Sequence, residues 1–168
     1  MKTRSFLITL FLISFYQNAM ALKERHLVVL QPSPIVQPIT EKDRQLAEET
    51  ASLLLAHGFD NRSISAVYVA PNAFAVETAE LLSEIGLFSK DKIHREIRLK
   101  ETHSQIEAQP TLMAFYHEVE RQHNEGHVLV ITPEKEAILL VESATKNKVK
   151  LQPSQPYLIP LESETAYS

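Results

Sequence analysis

No cysteine occurs among the 168 residues. No disulfide can staple this chain and no lipid-modified cysteine can anchor it, so its fold must rest on a hydrophobic core alone. Glycine is scarce, three residues against nine prolines, and there is no low-complexity tract or repeat at a solenoid period. Cationic charge is also short, with 17 Lys and Arg against 21 Asp and Glu. That balance argues against nucleic acid or an anionic lipid surface as partner. No apolar run is long enough to span a bilayer, since the stretch 6–15 covers about ten residues where about twenty are needed.

That short run still carries information. It follows the basic start Met1-Lys2-Thr3-Arg4 and precedes Ala19-Met20-Ala21, an A-x-A cleavage pattern. The three features together predict an export signal peptide over 1–21, cut after Ala21. The mature chain is then 22–168, the size of one domain. Without Lys2 and Arg4 it has 15 basic against 21 acidic residues, a net charge of −6. The expected location is periplasmic or secreted, with no membrane association once the leader is gone.

Apolar runs without alternation, the mark of strands buried on both faces, occur at 26–30, 66–69 and 127–131. A further strand is expected over 92–97, and short edge strands at 148–151 and 157–161. Between them lie helical patterns. Thr40 caps one with Asp43 in its first turn, running to about His57 with Leu46, Thr50, Leu53 and Leu54 on its inner stripe. Asn72 caps another to about Ile85, with Phe74, Thr78, Leu81, Leu82 and Ile85 on one face. A third is expected over 110–124, starting beside Pro110, and a fourth from Thr132 with Pro133 in its first position, to about Glu142. This alternation predicts an α/β fold, a three-layer arrangement of a mostly parallel sheet with helices on both faces. The runs 27–30, 67–69 and 128–131 should lie side by side, with Gln31, Ala70 and Thr132 at one edge, where open α/β sheets place their sites.

The order of motifs resembles the histidine phosphatase superfamily, with its phosphoglycerate mutase-like fold. Ile39-Thr40-Glu41-Lys42-Asp43-Arg44-Gln45-Leu46-Ala47 is similar to the pattern that opens the family's first helix. Val67-Tyr68-Val69-Ala70-Pro71-Asn72-Ala73-Phe74-Ala75-Val76-Glu77-Thr78-Ala79-Glu80 resembles the strand, Ser-Pro and Arg-Ala-x-Gln-Thr-Ala-Glu segment. Leu99-Lys100-Glu101 fits a Leu-x-Glu. The strand over 127–131 followed by Thr132-Pro133-Glu134 stands where the family has Ser-His-Gly.

Against that pattern the chemical groups are missing. The resemblance puts the nucleophilic His on Pro32, its neighbouring Arg on Gln31 and the Gly on Ser33. The second phosphate-binding Arg falls on Phe74 and the second pocket His on Pro133; only the acid, Glu101, keeps its type. The family reaction needs an imidazole nucleophile and cations that hold a phosphate dianion. Here Glu101 and Glu134 would repel one, by roughly 1 kcal/mol each in a partly buried site. The expectation is an exported pseudoenzyme that binds an unidentified protein or small molecule through a degenerate pocket of Gln31, Ser33, Phe74, Glu101, Thr132 and Glu134. No cofactor and no metal are implied: His117, His123 and His127 do not share a helix face and read as solvated, and H-E-x-x-H is absent. Ser33 lacks a nucleophile elbow. The competing reading is a remodelled hydrolase that uses Glu101 and His103; a third is a structural accessory domain with no ligand.

Overall fold

The computed structural model describes residues 24–32, 34 and 38–162. The leader 1–21 and Ser33 lie outside the described residues. The elements are β1 (Arg25–Leu30), α1 (Glu41–Ala56), β2 (Ile64–Val69), α2 (Ala73–Glu84), β3 (Ile93–Arg95), α3 (Gln105–Gln122), β4 (His127–Ile131), α4 (Glu134–Thr145) and β5 (Tyr157–Leu161).

Local chemistry explains two of the helix starts. The Thr40 hydroxyl accepts from the Asp43 N–H at 3.2 Å while the Asp43 carboxylate accepts from the Thr40 N–H at 2.8 Å, a reciprocal capping box. The Thr40 hydroxyl also donates to that carboxylate at 2.6 Å, and this bond first, then the one from the Thr40 N–H, holds the Asp43 carboxyl below its usual range. At α2 the Asn72 side-chain oxygen accepts from the Ala75 N–H at 2.9 Å.

The strands form one sheet in the order β3-β2-β4-β1-β5. β5 is antiparallel to β1, and every other pair is parallel. The register sets Leu30 opposite Ile131 and Ile131 opposite Val69, so the three strands finish together. Backbone bonds carry the ladder one residue on, from the Thr132 N–H to the Leu30 carbonyl at 3.2 Å and from the Ala70 N–H to the Ile131 carbonyl at 2.9 Å. The expected common edge of Gln31, Ala70 and Thr132 is therefore present. Right-handed crossovers place the helices. β1 to β2 to β3 progresses in one direction across the sheet, which puts α1 and α2 on one face. The return from β3 to β4 puts α3 on the other, where α4 packs against it. Chain departures from the ends of β1 and β4 run in opposite directions, so the gap between these two ends is the switch point of the sheet.

Several expectations shift. The third strand is only three residues and gives way to a short turn of 3-10 helix at Ile97–Leu99. The segment 148–151 forms no strand. α3 starts at Gln105, with Pro110 inside it; the ring forfeits the bond to the Ile106 carbonyl, which sits beside an almost fully exposed side chain and can turn to water. α4 starts at Glu134 with Pro133 in the cap position, because the Thr132 hydroxyl donates instead to the Leu99 carbonyl at 3.0 Å. Leu53, Phe74 and Ile85 face outward; Ala75, Ala79 and Leu82 bring α2 onto the sheet.

Candidate functional site

The switch point brings together Gln31 and Pro32 beyond β1, Thr132 and Pro133 beyond β4, and Asn72 and Phe74 at the start of α2, beyond β2. Pro32 is buried and Gln31 half-buried. The Gln31 backbone carbonyl accepts from the Ser154 N–H at 3.2 Å, but its side-chain oxygen is buried with no donor among the described residues. Thr132 is completely buried, and its hydroxyl is occupied by Leu99. Phe74 is 43% exposed on the first turn of α2. Glu134 is exposed on the first turn of α4.

Glu101 and His103 stand on the loop between the Ile97–Leu99 turn and α3. Both are exposed, and neither makes a hydrogen bond or ion pair with a described residue. The buried carboxylate at this edge is a residue that motif matching passed over, Glu136. It is 1% exposed. Its Oε1 accepts from the Thr102 N–H at 2.9 Å, and from the Thr102 hydroxyl at 3.4 Å. Its Oε2 is buried without a donor. Lys135 on the same turn donates to the Thr102 carbonyl at 2.7 Å. The loop that carries Glu101 is thus pinned to α4 from both sides of one residue. A signal was available in the sequence: an acid two places past the start of a helix, on the side that the apolar Ala137 and Leu140 mark as inner.

The arginines near this edge are committed or peripheral. Arg98, just beyond β3, donates through Nε and Nη2 to the two oxygens of Glu96 at 2.9 and 2.8 Å, and through Nη1 to Glu118 at 2.6 Å. Its guanidinium lies 5.3 Å from the Phe115 ring centre. The Glu96 and Glu118 bonds raise its proton affinity, and Arg98 in turn holds both carboxyls below their usual range. Arg95 ends the outermost parallel strand, three positions from β1 and separated from it by β2 and β4.

The histidines sort differently from the solvated cluster that their spacing suggested. His117 is exposed and 3.2 Å from Glu120. His123 is half-buried with its Nε2 2.8 Å from the Tyr68 hydroxyl, and burial first, then the charges of His94 and Arg25, lowers its proton affinity. His127 lies at the opposite edge of the sheet, its Nδ1 accepting from the His26 N–H at 3.1 Å and its ring 4.5 Å from that of Phe59. Among the described residues no three His, Asp or Glu side chains are grouped as metal ligands, and no helix is long and apolar enough to cross a membrane.

No family model matches the sequence, and no curated protein is similar to it in sequence. Solved structures do match. YhfR of Bacillus stearothermophilus superposes with a TM-score of 0.64 at 16% identity, over 80% of this chain and 90% of that one. The protein histidine phosphatase SixA, in its tungstate complex, gives 0.61 at 16%, over 79% and 86%. The Plasmodium falciparum phosphoglycerate mutase gives 0.56 at 16%, over 73% and 76%. This chain has the phosphoglycerate mutase-like fold that these structures share.

Proposed function

We propose that this chain is an exported, catalytically silent relative of the histidine phosphatases that acts by binding a protein or small molecule at its switch point. One observation carries the reading. The residues at the ends of β1 and β4 are Gln31, Pro32, Thr132 and Pro133, and none of them can serve as an imidazole nucleophile or as a cation for phosphate. Phe74 stands where the resemblance puts the second phosphate-binding arginine, and Arg98, just beyond β3, is held by two carboxylates. A dianionic ester would meet no histidine or arginine at these positions. Export is supported by the sequence of the leader, and N-terminal sequencing of protein recovered outside the cytoplasm is expected to begin at Leu22; an intact Met1 there would refute it. Inactivity is tested with the purified mature chain and para-nitrophenyl phosphate across a wide pH range. No turnover above buffer is expected. Hydrolysis that co-purifies with the chain and is lost in Glu101→Ala or His103→Ala would replace this reading with the remodelled hydrolase.

A further inference from the structure

The switch point holds two buried side-chain oxygens that receive no hydrogen bond from a described residue. One is Glu136 Oε2 on the first turn of α4, the other the side-chain oxygen of Gln31 just beyond β1. The two belong to neighbouring strand ends, since Leu30 pairs with Ile131 and the Thr132 N–H donates to the Leu30 carbonyl. Buried polar oxygens are nearly always paired, so two orphans at one strand edge need a reason. Loop anchoring accounts for half of Glu136 only, because Oε1 alone engages Thr102. Lys135 donates to the Thr102 carbonyl and makes no hydrogen bond to Glu136 Oε2.

We propose that the switch point binds a cationic N–H donor, a guanidinium or primary ammonium group, with Glu136 as its counter-charge and the Gln31 side-chain oxygen as a second acceptor. This rests on the reading of the switch point as a ligand site and gives that ligand its chemistry. A cation with several N–H groups supplies both missing donors and neutralises the buried carboxylate, whereas an anion supplies neither. The former phosphate edge is thereby inverted in charge preference.

The test is titration of the mature chain with methylguanidinium and, separately, with the blocked peptide Gly-Arg-Gly, followed by calorimetry and by amide ¹⁵N–¹H shifts, with sodium chloride as the ionic-strength control. Shifts are expected at Thr102 and at the Gln31 side-chain amide. Glu136→Gln keeps an oxygen for the Thr102 N–H and removes the charge, so it should weaken binding about tenfold, the factor expected for one hydrogen bond to a charged group. Gln31→Met should weaken it several-fold and provides a second arm if Glu136→Gln does not fold. Tighter binding of the peptide assigns the cation to a protein partner; equal affinity assigns it to a small molecule. Absence of these shifts, or unchanged affinity in both folded variants, overturns the proposal. Ester hydrolysis measured on the same sample separates the failures: no cation binding and no hydrolysis sinks this inference alone, while hydrolysis sinks the pseudoenzyme reading.

Discussion

The histidine pair that ties β1 to β4 at the start of the two strands should make stability fall in mild acid. His127 Nδ1 accepts a hydrogen bond from the His26 backbone N–H, which it can do only while that nitrogen is unprotonated. Burial, and after it the charge of His26, pushes the His127 ring below the ordinary histidine value, with Asp60 opposing. The unfolded chain titrates near the usual value of about 6.5. The unfolded state therefore binds the proton more tightly, and stability present above pH ~6.5 is lost as pH falls through the lower folded value. Protonation turns the acceptor into a donor facing another donor. An unsatisfied N–H costs about 1–3 kcal/mol; the site is half-exposed, so the lower end, about 1 kcal/mol, applies. For a chain of this size that is a Tm decrease of about 3 °C. The carboxyls of Asp43, Asp60, Glu96, Glu118 and Glu142 are all held below their usual ranges, so their contribution is lost only at lower pH, leaving the interval from pH 7 to 5 to histidine. Calorimetric melts over that interval, for wild type and His127→Asn, test the argument. Asparagine places an oxygen near the Nδ1 position and does not titrate, so it should remove about 3 °C of the acid-side loss. An identical loss in the variant would refute the role given to this hydrogen bond.

Asn72→Ala deletes the cap on α2 and should cost about 1 kcal/mol in urea denaturation, with an unchanged denaturant slope. Gly126→Ala places a Cβ 2.8 Å from the Ser63 carbonyl oxygen at a φ of +77°; strain and overpacking together should cost about 3 kcal/mol, read as a large drop in the urea midpoint.

The central strands were legible because a strand covered on both faces needs apolar residues throughout, and Val128, Leu129, Val130 and Ile131 leave no other interpretation. Capping chemistry at Thr40 and Asn72 was equally plain, being local. What sequence could not show depended on contacts between distant segments. Pro110 looked like a helix start, yet the helix begins five residues earlier. The Leu-x-Glu pattern selected Glu101 by type and spacing, whereas the burial that distinguishes Glu136 comes from a loop 34 residues away in sequence. Phe74 was placed on an inner face by helical periodicity; small Ala75 and Ala79 take that face because they let the helix approach the sheet.

The two margins of the sheet differ in construction but share a consequence. β3 is three residues long, and β5 carries Pro160, which has no N–H to offer. An incoming strand would find a template too brief on one side and interrupted on the other. Edge-to-edge polymerisation is thereby discouraged in a chain without disulfides. A partner is therefore expected to grip side chains and not to extend the ladder by strand addition.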